Sequence, residues 1–336
     1  MLFNVDELKQ KLESGFKQLD VPLIVANYSI ESLLMSEMCG DTTHGLSILN
    51  EHVKKIKKGL YNFLAIPYAT RETTSFAVFN CDNNIGMYSA RYCMDYATIK
   101  AKQNGMFTVF ANNSNTYSAA FVYTWQAAKQ GLIGYTMCNT PAQMAPIGGE
   151  KRLLGTNPLS YAIPAKKENP IIFDAATSVV SKSRITAASK KGETIPEGWG
   201  LDAAGNSTTD PTKVVKGGSV LPIAGPKGFG LSMMIDAFAG LLGGAGYLDS
   251  VNFFHNEKKE CMNVGQVFVA IDPKIVYGNE FYDMVDAYIL KIRNSSACGK
   301  VRLPGESKIN NYKKALENGI NVDDCIMKEF EAICYE

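Results

Sequence analysis

Apolar residues in the N-terminal part of the chain recur with the spacing of helices. Residues 5–19 place apolar side chains three and four positions apart among charged ones, which predicts an amphipathic helix. Ser29 has a typical helix-capping side chain and predicts the start of a second helix. Residues 41–43 predict the start of a third helix, which would continue to Ile56. We therefore expect a helical N-terminal segment.

Beyond Tyr61 the pattern changes to short apolar runs, rich in β-branched and aromatic residues, that alternate with helical segments. The predicted strands are residues 62–67, 75–80, 106–111, 132–138, 159–164, 170–175 and 264–272. The predicted helices are residues 89–103, 118–130, 229–242, 280–293 and 308–331. We predict a mixed α/β fold. Because no linker separates two halves, we expect one segment to be inserted into another.

The charge balance excludes one class of partner. The chain of 336 residues carries 34 Lys plus Arg against 33 Asp plus Glu, a formal net charge of +1. This balance leaves no overall positive field for a polyanion. The one dense basic run, residues 54–58, is typical of the solvated face of an amphipathic helix. We therefore expect a small-molecule partner and no nucleic acid.

Cysteine and histidine positions argue against disulfide and metal chemistry. The eight cysteines form no Cys-x-x-Cys pair, and His44, His52 and His255 lack metal-ligand spacing, so we expect free thiols and no metal site. The N-terminus lacks the continuous apolar core of a signal peptide. The longest apolar stretch, residues 231–248, contains an aspartate and four glycines. We therefore expect a cytoplasmic protein without a membrane span.

Two segments carry candidate chemistry. His44 lies between two threonines and a glycine, and a histidine at a helix start can act as a general acid or base near neutral pH. Capping by Thr43 beside an incidental histidine is the alternative. Residues 225–230, GPKGFG, precede an apolar helix, where a helix N-terminus and Lys227 suit a phosphate group. A glycine-rich turn that enters a buried helix is the alternative there.

Neither common nucleotide-binding motif is present. A P-loop has a glycine before its lysine and a hydroxyl residue after it, whereas Pro226 and Gly228 flank Lys227. No G-x-G-x-x-G follows a predicted strand with an acidic residue about twenty positions later, so the Rossmann fingerprint fails as well. Residues 148–158 contain two tight backbone features that bracket Lys151 and Arg152, and in residues 173–178 small residues at a strand end would let a flat ring approach the backbone; ordinary turn chemistry is the alternative for both. If a dinucleotide binds, it does so without a P-loop and without the Rossmann fingerprint.

Taken in order, these segments resemble the malate/L-lactate dehydrogenase family of the second type, which includes ureidoglycolate and sulfolactate dehydrogenases. The matching pieces span nearly the whole chain. They are THG at 43–45, NSN at 113–115, AP and GG within 145–149, LGTNPL at 154–159, FDAATS at 173–178, IPEGW at 195–199, TTDP at 208–211, AGPKGFGL at 224–231 and PGE at 304–306.

The resemblance implies a non-Rossmann α/β fold of the L-sulfolactate dehydrogenase type with a largely antiparallel sheet. It implies a helical, substrate-binding domain of residues 1–120 with 285–336, and an inserted nucleotide-binding domain of residues 121–284. It also implies a homodimer with the active site near the interface. The implied cofactor is NAD, with NADP as the alternative.

The resemblance also assigns roles to individual residues. His44 would be the general acid/base and Thr43 its hydroxyl neighbour. Lys182 and Arg184 lie where the family usually has arginine and then lysine, so the charge is kept although the two cations differ in geometry. The implied cofactor contacts are Thr140, Asp174, Ala175, Ala176, Lys182, Arg184, Lys227, Gly228, Gly305 and Glu306.

Two positions depart from the family pattern. This chain has Ile48 three residues beyond the glycine of THG. Relatives commonly have an arginine at that position, which would clamp a substrate carboxylate. After NSN, where many relatives have a second catalytic histidine, it has Thr116, which does not titrate near neutral pH. His44 is then the motif histidine left for acid/base work. Arg152, Arg184 or a residue of a partner subunit would supply the clamp.

The expected reaction is reversible hydride transfer between nicotinamide and a small 2-hydroxy acid of the malate or lactate type, with the 2-keto acid as its product. Ureidoglycolate oxidation is the alternative within this class; AGPKGFG favours it and the two departures weaken it. A homologue that binds the dinucleotide without catalysis is the alternative from another class.

Overall fold

The computed structural model describes residues 1–255, 260–296 and 299–335. Its strands, in chain order, are β1 (Leu2–Phe3), β2 (Tyr68–Glu72), β3 (Phe76–Asn80), β4 (Met106–Ser114), β5 (Ile133–Cys138), β6 (Leu159–Ile163), β7 (Ile171–Ala175), β8 (Gly200–Leu201), β9 (Ser219–Val220), β10 (Val264–Ile271) and β11 (Ile320–Asn321). Most of them belong to one sheet.

The helices surround this sheet. They are α1 (Val5–Gln18), α2 (Leu23–Met38), α3 (Leu49–Lys57), α4 (Gly86–Asn104), α5 (Phe121–Lys129), α6 (Lys182–Lys191), α7 (Pro211–Val215), α8 (Pro226–Asp236), α9 (Lys274–Tyr277), α10 (Glu280–Arg293), α11 (Glu306–Asn318) and α12 (Asp324–Tyr335). Short 3₁₀ turns cover Thr42–His44, Leu46–Ile48 and Leu248–Ser250, and a π-helical turn, Ala237–Leu242, continues α8.

The central sheet has seven strands in the order β2-β3-β4-β10-β5-β6-β7. Only β3 and β4 run parallel within it, and α4 provides the crossover that a parallel pair requires. The other neighbouring pairs are antiparallel. The prediction of a mixed α/β fold with a largely antiparallel sheet is therefore confirmed.

The central strand β10 is buried on both faces because helices cover both sides of the sheet. Side chains alternate along a strand, so Val267 and Phe268 point to opposite faces. Phe268 packs in the cluster that contains Phe121 of α5. Val267 packs with Ile235 of α8 and Ala239 of the π-helical turn. The continuous apolar run that predicted this strand reflects burial on both sides.

A helical layer formed by α1, α2, α3 and α12 packs beside the sheet. Helix α1 begins where Asn4 Oδ1 accepts a hydrogen bond of 2.9 Å from the Asp6 backbone N–H. Its residues Leu8, Leu12 and Phe16 recur every four positions and are fully buried. The short ladder between β1 and β11 joins the two ends of the chain within this layer.

Three predicted elements are wrong in position. Helix α2 begins at Leu23, and the hydroxyl of Ser29 is buried in the middle of the helix, where it donates to the Val25 carbonyl at 2.7 Å instead of capping. Residues 62–67 form no strand, because the Ala65 N–H bonds back to the Asn62 carbonyl in a turn. Residues 41–43 lead into two 3₁₀ turns, so the third helix begins only after them.

The predicted division into residues 1–120 with 285–336 and residues 121–284 stays a prediction. Strands from both parts share the central sheet, since β4 from the first part pairs with β10 from the second. Residues 144–220 add a small cluster of their own, built around Met144, Ile185 and Val220. Within the described residues, no helix combines the length and apolarity needed to cross a bilayer, and no group of metal-ligand side chains converges.

Truncation of Phe268 tests the central position of β10. Because this side chain is fully buried between the sheet and α5, we expect Phe268→Ala to lower the free energy of unfolding by ~3–5 kcal/mol. Leu316→Ala, at a side chain that is 53% exposed on α11, is the control and should cost less than about 1 kcal/mol. Denaturant unfolding measures both, and equal losses would contradict the assigned core.

Candidate active site

One cavity of about 470 Å³ lies at the end of the central sheet, a volume within the range of small-molecule sites. Its wall collects residues that are far apart in the sequence. The lining residues include Asp41, Thr43, His44, Ile48, Thr116, Asn139, Thr140, Thr156, Asp174, Ala175, Ala176, Lys182, Phe253, His255 and Lys308.

The antiparallel register explains why these residues meet. Val264 at the start of β10 pairs with Ser114 at the end of β4, and β10 pairs with β5 up to Cys138. On the far side, Leu159 pairs with Met137 of β5 and with Ala175 of β7. The segments that leave β4, β5 and β7 therefore emerge at the same end of the sheet as those that enter β6 and β10.

His44 is positioned through its backbone. It ends the 3₁₀ turn Thr42–His44, in which its N–H donates to the Asp41 carbonyl at 3.2 Å. The Ser118 hydroxyl donates to the His44 carbonyl. Gly45 follows because Glu37 packs there: an added Cβ would lie 2.3 Å from Glu37 Oε2. The THG motif thus joins the cavity wall to α2 and to the segment before α5.

Asp41 holds the His44 imidazole by its Nδ1 atom. The distances from Nδ1 to Asp41 Oδ1 and Oδ2 are 3.0 and 3.2 Å. The Thr43 hydroxyl donates to Asp41 Oδ1 at 3.0 Å, which orients the carboxylate. A carboxylate at Nδ1 selects the tautomer with the proton on that nitrogen, so Nε2 remains to accept a proton. The imidazole is 51% exposed and can reach a ligand in the cavity.

Opposing effects set the pKa of His44. Burial in the cleft disfavours the imidazolium and lowers the pKa, but the hydrogen bond and negative charge of Asp41, together with the charge of Asp174, outweigh it. The pKa of His44 is therefore raised above its ordinary value. Burial likewise opposes the charged form of Asp41, but the hydrogen bond from His44 overcomes it and lowers the pKa of Asp41. The two groups stabilise each other as an ion pair.

Asp174 and Lys308 complete the charged groups around His44. Burial raises the pKa of Asp174 to about 6, against the charge of Lys308 and a hydrogen bond of 3.1 Å from the Phe121 N–H to Asp174 Oδ2. The Lys308 Nζ lies 4.2 Å from the centre of the Phe121 ring. Two carboxyl groups, an imidazole and an ammonium group therefore act on one another at the sheet end.

The other two histidines differ from His44. His52 is completely buried and bonds through Nδ1 to the Tyr61 hydroxyl at 2.9 Å. Burial, aided by the charge of Lys55, lowers the pKa of His52 to about 3, so it remains neutral. His255 lines the cavity at its rim, where its side chain is 80% exposed and Nδ1 lies 3.8 Å from Glu51 Oε1. His44 is thus the described histidine that both lines the cavity and bonds a carboxylate at hydrogen-bond distance.

Comparison with known proteins supplies the family. The sequence model described as malate/L-lactate dehydrogenase matches residues 3–331. The chain belongs to the malate/L-lactate dehydrogenase family. The L-sulfolactate dehydrogenase of Methanothermobacter thermautotrophicus is 34% identical over 319 residues, which cover 95% of this chain and 92% of that protein. The malate dehydrogenase of Pyrococcus horikoshii is 33% identical over 327 residues, or 94% and 90% of the two chains.

Solved structures of family members have the same fold. The sulfolactate dehydrogenase of Methanocaldococcus jannaschii superposes with a TM-score of 0.91 at 30% identity, covering 99% of this chain and 96% of that one. The malate dehydrogenase of Entamoeba histolytica gives 0.91 at 26% identity, covering 100% and 98%. Both the recognised family and the predicted L-sulfolactate dehydrogenase-like fold are confirmed.

The structure brings together most of the residues to which the family resemblance gave roles. Those that line the cavity are Thr43, His44, Thr116, Thr140, Asp174, Ala175, Ala176 and Lys182. Ile48 lines it as well, so both departures from the family motifs lie at the cavity. The catalytic and cofactor-binding roles themselves stay predictions.

The remaining residues with predicted cofactor roles lie outside the cavity lining. Lys227 is exposed in the first turn of α8, and Gly228 beside it is buried against the Ile223 carbonyl. Arg184 lies over the Trp199 ring at 5.2 Å. Glu306 accepts a 2.7 Å bond from Arg293. The backbone of Gly305, at a φ of +91°, passes so close to Ile172 that an added Cβ would lie 2.7 Å from the Ile172 Cβ.

Neither arginine proposed as a carboxylate clamp is among the cavity-lining residues. The Arg152 guanidinium donates to the carbonyls of Gly218, Val214 and Val215, and so fixes the segment before β9. Arg184 lies over Trp199. Within the described chain, the cations that do line the cavity are Lys182 and Lys308.

Two functional candidates escaped the sequence analysis. Asp41 enters the sequence analysis only as part of a helix start, although its spacing of three residues from His44 brings the two side chains together in one helical turn. Lys308 lies two residues beyond PGE in a polar helix with several lysines, and no local pattern separates it from them. Only the tertiary fold brings α11 to the sheet end.

Removal of the Asp41 charge tests the electrostatics of His44. Because this carboxylate supplies the hydrogen bond and the main negative charge on the imidazole, we expect Asp41→Asn to lower the pKa of His44. With three histidines in the chain, NMR titration can follow His44 separately. Asp283→Asn, at an exposed carboxylate paired with Lys166, is the control. An unchanged His44 pKa in Asp41→Asn would contradict the assignment.

Proposed function

We propose that this chain is an NAD-dependent dehydrogenase that interconverts a small 2-hydroxy acid and the corresponding 2-keto acid. The observation that carries the proposal is the Asp41–His44 pair on the wall of the cavity at the sheet end. Relatives named as sulfolactate, malate and ureidoglycolate dehydrogenases support this class of substrate. NAD is favoured because the ureidoglycolate dehydrogenase of Escherichia coli, 30% identical over 332 residues, is named for NAD(+).

His44 acts as the general base in the oxidation. Its Nε2 accepts the proton of the substrate hydroxyl while the C2 hydrogen leaves as hydride, and in reduction the imidazolium returns the proton to the carbonyl oxygen. The imidazolium that forms is stabilised by the Asp41 carboxylate at Nδ1. Thr43 keeps that carboxylate in place. Thr116 contributes at most a hydroxyl, because threonine has no group that titrates near neutral pH.

The cavity wall fits a flat nicotinamide ring. Ala175 and Ala176 leave the end of β7 with small side chains, and Thr140 and Asp174 present polar groups beside them. Lys182 and, further out, Lys227 with Gly228 at the start of the 11-residue helix α8 suit the phosphate groups. Arg184, Gly305 and Glu306 lie outside the cavity lining, and their cofactor roles stay predictions from the family resemblance. When bound, the nicotinamide supplies the hydride acceptor.

Substitution of His44 tests the reaction. We expect His44→Gln to reduce the turnover of the active substrate by about 100- to 10,000-fold, because the general base is lost. The assay covers malate, lactate, sulfolactate and ureidoglycolate with NAD and with NADP, and also the reverse reduction of oxaloacetate, pyruvate and oxalurate. Binding of NADH by the variant is the control for an intact site.

Two outcomes would count against the proposal. Equal activity of His44→Gln and the unaltered chain would remove His44 as the base. Tight NADH binding by the unaltered chain with no turnover on the whole panel would support the alternative, a dinucleotide-binding homologue without catalysis. Turnover confined to ureidoglycolate would identify the other alternative within the class.

The proposed function includes a homodimer with the active site near the interface, in the cytoplasm. One exposed apolar stretch supports a subunit contact: α8 and the π-helical turn leave Leu231, Phe238, Leu241 and Leu242 between 42% and 60% exposed. Apolar patches of this kind mark interaction sites. A second copy of the chain is the occupant that the resemblance to the family implies.

A charged residue in this stretch tests the dimer. We expect Leu242→Glu to shift the protein from dimer to monomer, because it places a carboxylate in an apolar contact. Sedimentation velocity measures the change. Leu316→Glu, at a similarly exposed leucine on α11, is the matched control and should leave the dimer intact. A monomeric unaltered chain would overturn this part of the proposal.

A further inference from the structure

The cavity contains two lysines in different surroundings. Lys182 Nζ lies 5.8 Å from the centre of the Phe253 ring; burial, followed by the charge of Arg152, lowers its pKa. Lys308 lies on α11 instead, and its charge acts on the groups at His44. The two ammonium groups therefore have different neighbours.

Lys308 lies next to the reacting groups. Its Nζ is 4.2 Å from the centre of the Phe121 ring, and the backbone N–H of Phe121 donates to Asp174. Its charge also acts on Asp41, Asp174 and His44, and all four groups line the same cavity. The ring holds the cation in place by a cation–π contact, which leaves its N–H donors for another partner.

The ammonium of Lys308 has no carboxylate of its own in the described part of the chain. No Asp or Glu oxygen there lies within 4.0 Å of its Nζ. The two acids that line the same cavity have other partners, since Asp41 bonds His44 and Asp174 Oδ2 accepts the Phe121 N–H. A half-buried cation without an ion-pair partner favours an anion in the adjacent space.

We propose that Lys308 binds the carboxylate of the substrate and so makes the site specific for 2-hydroxy and 2-keto acids over neutral alcohols and ketones. In such a molecule the carboxylate is attached to the carbon that carries the hydroxyl. The group that binds it must therefore lie within a few atoms of the proton acceptor, His44. Lys308 lines the same cavity as His44 and its charge acts on the imidazole, whereas Arg152 is bonded to carbonyls before β9 and Arg184 lies over Trp199.

This assignment rests on the proposed function and explains one of its open points. Ile48 is apolar and lines the cavity, so it cannot hold an anion. A lysine from α11 supplies that charge from a different part of the chain. Since lysine is a compact point charge, it binds a single anionic group without the fork geometry of arginine.

Binding of oxamate tests Lys308 without any turnover. Oxamate carries a carboxylate next to an amide carbonyl, like a 2-keto acid, and oxamide is its neutral counterpart. Using the full chain with NADH present, we expect Lys308→Met to weaken oxamate binding by about 10- to 100-fold, as for the loss of a charged hydrogen bond. Oxamide binding should stay unchanged. Calorimetry measures both ligands.

Two further variants make the test specific. Lys308→Arg keeps the charge and should restore most of the oxamate affinity. Lys314→Met, at an exposed lysine on the same helix, is the matched control and should bind oxamate like the unaltered chain. In the enzyme assay, the loss in Lys308→Met should appear in KM for the acid more than in kcat.

Several results would overturn the assignment. One is that Lys308→Met and the unaltered chain bind oxamate with equal affinity. Another is that Lys308→Met weakens the binding of oxamate and of oxamide equally. The third is that the unaltered chain does not bind oxamate. The failure of the proposed function gives a different result: Lys308-dependent oxamate binding without hydride transfer to any 2-keto acid would keep the anion site and remove the dehydrogenase activity.

Discussion

The pairing of β10 with two neighbours is the constraint on which the site depends. This strand lies antiparallel to β4 on one side and to β5 on the other. The start of β10 therefore lies beside the ends of β4 and β5. The segments that follow these two strands leave the sheet at the same end. Helices on both faces bury most of β10, which fixes its register because a shift by one residue would exchange Val267 and Phe268 between the faces.

The helical layer then closes that end of the sheet from outside. The Ser118 hydroxyl reaches the His44 carbonyl, and Glu37 of α2 accepts a 2.8 Å bond from the Leu46 N–H. His44 is thus held between the sheet and the helices and not by its local sequence alone. In the same way, Gly305 lets α11 begin directly against Ile172 of β7. That contact brings Lys308, in the first turn of α11, into the cavity.

The sequence allows prediction of what local physics determines. Periodicity predicts helix α1 and the strands near β4, β5, β6, β7 and β10. Motifs predict the cavity positions of His44, Thr140 and Asp174. The role of Asp41 required the geometry of a 3₁₀ turn, because hydrogen bonding to the histidine depends on the side-chain directions. Lys308 required the whole tertiary fold. Ser29 shows a different failure: a buried hydroxyl can bond to the preceding helical turn as well as it can cap.

The charges of the cavity also limit how it can work. At acid pH His44 is protonated and Asp174, with a pKa of about 6, is neutral. Above this range His44 is neutral and Asp174 is negative, so the net charge of the two groups has fallen by two units. An anion is therefore bound best on the acid side, whereas a base that accepts a proton is needed on the alkaline side. A cation in the same cavity resolves the conflict, because Lys308 supplies a positive charge that comes from neither of these two groups.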